Sequence, residues 1–207
     1  MKNSNTSTRA NGDRATLTPA DWEQAALELI ADKGVSGLGV EPLARRLDIT
    51  KGSFYWHFPG RDELLASALK RWERQDTDHL QRSLKADAKP AERLAGFVWA
   101  TTRQTLTHRV YLALCALPDD ALIGPVLQRV TERRMTYLAE AFAELGFSPE
   151  AAGRRATLVY SSYVGYLQLQ AQQRVPEPEE PAFDAYVEHV IASLIDPHAG
   201  PSDKSAA

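Results

Sequence analysis

Apolar residues recur along the chain at the spacing of one-sided α-helices. In the first such segment they fall at the i, i+3, i+4, i+7 and i+8 positions of one helix face: Trp22, Ala25, Ala26, Leu29 and Ile30. Thr18 and Pro19 before this stripe are typical of an N-cap and a first helical position, and Gly34 after it is typical of a helix end. The pattern therefore predicts a helix over residues 18–33.

The rest of the chain predicts further helices, which are separated by glycine and proline residues. Their approximate ranges are 40–47, 50–56, 61–84, 90–108, 109–117, 121–146, 149–173 and 181–195. No segment shows the alternation that is typical of a β-strand. We therefore predict an all-α fold, in which an N-terminal three-helix helix-turn-helix head joins a larger C-terminal helical bundle.

Composition excludes several classes of protein. The chain has 207 residues, 43% of them hydrophobic, and a formal net charge of -3. This charge argues against a protein that coats nucleic acid generally, but it permits a local DNA-reading face. No apolar run approaches the roughly 18 residues of a membrane span, and the N-terminus lacks the apolar stretch of a signal peptide. With its single cysteine, Cys115, the chain is expected to be cytoplasmic, to have no membrane partner and to pack that thiol inertly.

The sequence offers no catalytic or metal-binding pattern. The histidines do not form an HExxH motif, there is no cysteine cluster, and neither a glycine-rich phosphate loop nor a GxSxG elbow occurs. The run Asp76 to His79 could hold a cation, but it is more often the solvated face of a helix. We therefore predict no metal, no cofactor and no enzymatic activity.

The stretch "DITKGSFYWHF", residues 48–58, carries the strongest functional signal. Two short helices that are joined by a tight turn and preceded by a longer helix predict a helix-turn-helix, whose second helix enters the major groove of DNA. We expect Phe54 and Phe58 to anchor this helix in the core. The expected DNA contacts on the helix and its flanks are Thr50, Lys51, Gly52, Ser53, Tyr55, Trp56, His57 and Arg61.

These residues suit DNA in different ways. Lys51 supplies a charge for a phosphate or a guanine edge, Gly52 permits a close backbone approach, and Tyr55 offers a ring and a hydroxyl. Arg45 is a further candidate for a phosphate contact, although a charged pair on a helix is more often a solvated face. Alternatives also stay open for Trp56, which could pack under the head, and for His57, which could be structural.

The segment "GVSGLGVEPLARRLDITKGSFYWHFPGRDELL", residues 34–65, resembles the DNA-binding domain of TetR-family transcriptional regulators. The resemblance implies an all-α homodimer that represses transcription and binds a small inducer in its C-terminal domain. One recognition helix per chain further predicts a pseudo-palindromic operator, and the aromatic residues of the C-terminal part predict an apolar or aromatic ligand that releases the DNA. Glu41 departs from the pattern, because many relatives carry a DNA-contacting polar or basic residue there. We expect Glu41 to serve its helix N-terminus instead. The alternatives are an activator, a regulator without an inducer, or a helical-bundle enzyme.

The resemblance divides the chain into four parts. These are a flexible arm, a helix-turn-helix domain, a ligand-binding and dimerisation domain and a disordered tail, at residues 1–16, 17–65, 66–196 and 197–207. In the third part, aromatic and isolated polar residues lie on the helices that line the inducer cavity in this family. The candidates are Phe97, Trp99, Thr102, His108, Tyr111, Phe142, Tyr160, Tyr163, Tyr166 and Gln168.

Two C-terminal helices predict a surface for a second copy of the chain. The segment "TLVYSSYVGYLQLQ", residues 157–170, is apolar almost all round, and the last helix carries an apolar stripe. Together they would form a four-helix interface in a homodimer, although a packed monomer core is the alternative. The interface candidates are Leu158, Gly165, Phe183, Tyr186, Val187, Val190, Ile191 and Leu194.

Overall fold

The computed structural model describes residues 17–83, 88–103, 105–177 and 180–195, which contain helices and no strand. The predicted all-α fold is therefore confirmed, whereas the predicted N-terminal arm and C-terminal tail lie outside the described residues. The helices are α1 Pro19–Lys33, α2 Val40–Arg46, α3 Lys51–Tyr55, α4 Arg61–Ser83, α5 Pro90–Thr102, α6 Thr105–Cys115, α7 Ile123–Glu144, α8 Pro149–Ala171 and α9 Pro181–Ile195, with a 3-10 helix at Val35–Gly37.

Local signals fix both ends of α1. At its start, the Asp21 carboxylate accepts a hydrogen bond from the backbone N–H of Thr18 at 2.7 Å. At its end, Gly34 adopts a φ of 70°, and its N–H donates to the carbonyl of Ile30 at 2.8 Å. Such a φ is strained for residues with a Cβ, which explains the glycine at this helix end.

The break between α5 and α6 lies earlier than the sequence pattern predicts. The predicted ranges were 90–108 and 109–117, whereas α5 ends at Thr102 and α6 begins at Thr105. The Thr101 hydroxyl donates to the carbonyl of Phe97, and the Thr102 hydroxyl donates to the carbonyl of Val98, each at 2.8 Å. Hydroxyls that bond back to the preceding turn compete with the regular helix and favour a bend or an end.

The head, formed by α1 to α3, packs around a cluster of aromatic rings. Phe54 of α3 is completely buried, and its ring meets the ring of Trp22 from α1 edge to face at a centroid distance of 5.3 Å. The ring of Phe58 also packs against Phe54, with a centroid distance of 5.9 Å. The predicted roles of Phe54 and Phe58 as core anchors are therefore confirmed.

The helix α4 belongs to the head and to the body, which comprises α5 to α9. Near its start, the buried Leu64 and Leu65 join the head core. Further along, the indole N–H of Trp72 donates to the carbonyl of Thr107 in α6 at 3.2 Å. Glu73 accepts two hydrogen bonds from Arg129 of α7, at 2.9 and 2.7 Å. One continuous helix therefore connects the two parts mechanically.

A buried ion pair ties α4 to the centre of the body. Asp76 of α4 accepts a hydrogen bond from Arg134 of α7, and both side chains are more than nine-tenths buried. The guanidinium also donates to the hydroxyl of Tyr163 at 3.1 Å and lies over the rings of Tyr111 and Tyr163. Burial alone would lower the pKa of Arg134, but Tyr163 and Asp76 raise it, so the arginine stays charged.

We expect Phe54→Ala to destabilise the protein by about 3–5 kcal/mol, because it removes a fully buried ring and leaves a cavity. Trp56→Ala is the matched control, since that ring is exposed and its loss should change stability by less than about 0.5 kcal/mol. Denaturant unfolding, followed by circular dichroism, measures both. Equal effects of the two variants would contradict the packing described for α3.

Candidate nucleic-acid interface and ligand site

The surface of α3 that faces away from the head core carries large aromatic side chains. Tyr55 is 62% exposed and Trp56 at the helix C-cap is 88% exposed, although Phe54 between α3 and the core is fully buried. The two exposed rings are adjacent, and neighbouring apolar groups on a surface are the kind of patch that marks an interaction site. The face therefore has the character of a contact surface.

The first turn of α3 adds polar groups to this surface. Thr50 is the N-cap residue, its hydroxyl lies 3.3 Å from that of Ser53, and the Lys51 side chain is exposed. A Cβ on Gly52 would meet only the Thr50 hydroxyl, at 3.8 Å, so the fold itself does not require a glycine at this position. His57 is half-buried, with its ring 6.4 Å from the ring of Trp22.

The Arg61 guanidinium hydrogen-bonds to backbone carbonyls of the head. Its Nε donates to the carbonyl of Leu38 at 2.8 Å, and its Nη2 donates to the carbonyl of Val35 at 2.9 Å. The guanidinium thereby satisfies carbonyls of the 3-10 segment, and its Nη1 contacts Asp62 at 3.0 Å. A phosphate contact by Arg61, as the sequence predicts, would have to share these donors.

Glu41 contacts two of the cations that surround the recognition helix. Its Oε2 accepts from Lys51 Nζ at 2.9 Å, and its Oε1 lies 3.9 Å from Arg45 Nη2. The hydrogen bond from Lys51 lowers the pKa of the Glu41 carboxyl, so this group is ionised at neutral pH. Sequence reasoning missed this ion pair, because Glu41 and Lys51 are ten positions apart on two different helices and no helical spacing connects them.

The predicted aromatic cavity in the body is nearly closed. A void of about 10 Å³ lies between α5, α8 and α9, which is room for about one water molecule. Four of the predicted ligand residues line it: Phe97, Thr102, Tyr163 and Tyr166. As it stands, this void is too small for an inducer.

A much larger space lies between the head and the body. This groove has a volume of about 720 Å³ and is formed by α1, α6 and α8 with Glu177 beyond α8. Its lining includes two of the predicted ligand residues, His108 and Gln168, together with apolar residues from α1 that sequence reasoning did not connect with a ligand. Its size matches the roughly 300–1,000 Å³ of small-molecule sites.

The remaining predicted ligand residues line neither space. The hydroxyls of Tyr111 and Tyr160 lie 2.7 Å apart in the body core, and burial raises the pKa of Tyr111. Phe142 is fully buried against Phe147, and Trp99 lies under the Arg103 guanidinium. These four side chains have packing partners, so their aromatic character reflects the core.

The predicted dimer surface is divided between exposed and buried positions. Leu158 is 54% exposed, and a Cβ on Gly165 would meet no atom within 4 Å. Half-buried candidates on α9 are Tyr186, Val190, Ile191 and Leu194. Phe183 and Val187, by contrast, are completely buried within the chain, so the assignment of these two to an interface is corrected. They turn towards α5 and α8, where Val187 lines the small void.

Other chemistry is sparse in the described part of the chain. Within it, no group of histidine, cysteine and acidic residues could hold a metal ion, and none of its helices is long and apolar enough to cross a membrane. Cys115 is half-buried, and burial raises the pKa of its thiol, which disfavours the reactive thiolate.

Comparison with known proteins identifies the N-terminal region. Residues 24–68 match the family model for bacterial regulatory proteins of the tetR family. The HTH-type transcriptional regulator SrpR of Pseudomonas putida is 42% identical over 45 residues, which are 22% of this chain and 21% of SrpR. The match thus spans about a fifth of that relative's length.

Solved structures resemble most of the fold. A transcriptional regulator from Rhodococcus sp. Rha1 superposes with a TM-score of 0.71 and 20% identity, over 86% of this chain and 94% of that one. A protein from Saccharomonospora viridis in complex with choline gives 0.70 and 19%, over 83% and 92%. AibR, in complex with isovaleryl coenzyme A and operator DNA, gives 0.66 and 19%, over 86% and 97%.

The predicted resemblance to TetR-family transcriptional regulators is therefore confirmed. The family match establishes it for the N-terminal region, and the structural neighbours extend it to the arrangement of the C-terminal helices.

Proposed function

We propose that this protein is a DNA-binding transcriptional repressor that binds a pseudo-palindromic operator as a homodimer and releases it when a small ligand binds. The observation on which this proposal rests is the arrangement of α3. This short helix and its cap bury Phe54 and expose Lys51, Tyr55 and Trp56. A helix held in this way can enter the major groove with its polar and aromatic groups facing the bases.

The exposed groups suit the two tasks of DNA binding. Lys51 supplies a mobile charge for a phosphate or a guanine edge, while Tyr55 and Trp56 offer rings for thymine methyl groups and donors for phosphates. Gly52 keeps the first turn free of bulk, although the fold itself leaves space for a side chain there. This spare space supports a close approach of DNA at that point.

The small DNA-contacting surface of each head supports the proposed homodimer. One five-residue recognition helix contacts too few base pairs for tight and specific binding, whereas two copies read two half-sites about one helical turn apart. The exposed Leu158 and the open Gly165 on α8, with the half-buried apolar residues on α9, form the proposed interface. A symmetric interface uses the same patch on both subunits.

The head–body groove is the proposed ligand site. Its lining includes apolar residues such as Ile30 of α1 and Leu112 of α6, and polar residues such as Gln168 could orient a ligand. Near the groove, Arg109 of α6 donates to the carboxylate of Asp32 in α1 at 2.7 Å. A small molecule with an apolar or aromatic body would therefore contact both parts and change the angle between head and body.

AibR, a protein of similar fold, is in complex with isovaleryl coenzyme A and operator DNA, which supports the capacity of this fold to bind a small molecule and to bind DNA. A regulator without an inducer is the second candidate, and the nearly closed void in the body favours it. The two candidates differ in whether a small molecule changes DNA affinity.

We expect Lys51→Ala and Tyr55→Ala each to weaken operator binding by about 1–3 kcal/mol without unfolding the protein. Loss of the Lys51 phosphate contact should also reduce the salt slope of binding by about 1. Fluorescence anisotropy with a duplex selected by the wild-type protein from a random library measures both effects. Lys70→Ala on the exposed surface of α4 is the charge control, and an equal loss in that variant would argue against a specific role of α3.

We expect light scattering to give a dimer for the wild type and a monomer for Leu158→Arg, because a charge would be buried at the proposed interface. Leu122→Arg is the matched control, since that leucine is exposed on a different surface and its replacement should leave the dimer intact. A monomeric wild type that still binds its operator tightly would contradict the homodimer.

A thermal-shift screen of small apolar compounds, repeated with operator DNA present, tests the ligand site. A true inducer must bind more weakly when DNA is bound, because coupling between two sites is reciprocal. Ala171→Trp, which narrows the groove, should remove the response, whereas Ala66→Trp on the exposed surface of α4 should preserve it. Compounds whose affinity does not change when operator DNA is present would favour the regulator without an inducer.

A further inference from the structure

The cationic side chains of α2 and α3 form ion pairs in two different places. Arg46 is directed towards α1, where it contacts Glu28 at 3.1 Å and Asp32 at 2.9 Å. Arg45 and Lys51 remain on the surface that carries the recognition helix, and both contact the same carboxylate, Glu41. One acidic side chain thus partners both cations that α2 and α3 hold ready for phosphates.

This arrangement works against DNA binding in general. A phosphate that approaches Lys51 must compete with a carboxylate 2.9 Å from its ammonium group, and it is repelled by that carboxylate as well. All three side chains are exposed, so their ion pairs contribute little to stability and are easily opened. Glu41 lies in the first turn of α2, where a carboxylate suits the helix dipole, but its ion pairs with Lys51 and Arg45 add little to the stability of the head.

The loss of binding free energy that Glu41 causes should differ between operator DNA and other DNA sequences. Non-specific binding depends almost entirely on phosphate contacts, so it loses most when Lys51 and Arg45 are restrained. Binding to an operator also gains from the base contacts proposed for Tyr55 and Trp56, which are separate from the ion pairs of Glu41. A repulsive group at such a surface raises the ratio of the two affinities, even if it lowers both.

We propose that Glu41 is a specificity-determining residue, which holds Lys51 and Arg45 away from phosphates and thereby weakens non-specific DNA binding more than operator binding. This role rests on the proposed function as a DNA-binding regulator. It gives a physical reason for a carboxylate that contacts both Lys51 and Arg45 beside α3.

The test uses full-length Glu41→Gln, which removes the charge and keeps the size of the side chain. Anisotropy titrations at several salt concentrations compare the selected operator with a scrambled duplex of equal composition. We expect affinity for the scrambled duplex to rise by about two- to fivefold, the scale of one exposed ion pair, and to rise less for the operator. The salt slope on the scrambled duplex should steepen by about 1.

Two further variants separate local from general charge effects. Glu140→Gln on α7 changes the net charge equally, far from α3, and should leave both affinities unchanged. In a Lys51→Ala background, the effect of Glu41→Gln should shrink, because the group that it releases is absent. Equal gains on both duplexes, or an undiminished gain without Lys51, would overturn the proposed role.

A loss of operator affinity in Glu41→Gln would also overturn it, since Glu41 would then contact a base, such as a cytosine amino group, directly. Failure of the proposed function is distinguishable from these results. In that case the wild-type protein itself would bind the selected and scrambled duplexes with equal affinity.

Discussion

The burial of Phe54 against Trp22 is the constraint on which the proposed DNA-facing surface depends. A five-residue helix is not stable by itself in water, because nucleation costs more than its few hydrogen bonds return. The edge-to-face contact at 5.3 Å fixes the rotation of α3 and thereby turns Tyr55 and Trp56 outward. The same core that stabilises the head therefore sets the register in which it can read DNA.

The helix α4 carries this arrangement into the body. Its first turns complete the head core, and its middle is held by Arg129 and by the buried pair of Asp76 and Arg134. Separating a buried pair would leave an unpaired charge in the core, which is costly. The body and α4 are therefore expected to move together, whereas the ion pair between Arg109 of α6 and Asp32 of α1 is exposed and contributes little to stability.

The sequence predicted what depends on local chemistry. The cap at Thr18, the glycine end at Gly34 and the buried Phe54 follow from residue type and spacing. The end of α5 at Thr102 could not be predicted in this way. The threonine hydroxyl bonds back to the helix without changing the spacing of the apolar residues, so the sequence pattern does not reveal it. Long-range pairing was also hidden, since the groove between α1, α6 and α8 joins residues that are more than a hundred positions apart.

Charge placement explains how an acidic chain can still bind DNA. Arg61 is used by backbone carbonyls and Arg46 by acidic groups of α1, so the recognition surface has only a few cations to offer. Few phosphate contacts give weak general affinity for DNA. Under the proposed function, recognition depends more on the exposed rings of α3 and on the proposed pairing of two heads, which favours binding to specific sites over general binding to DNA.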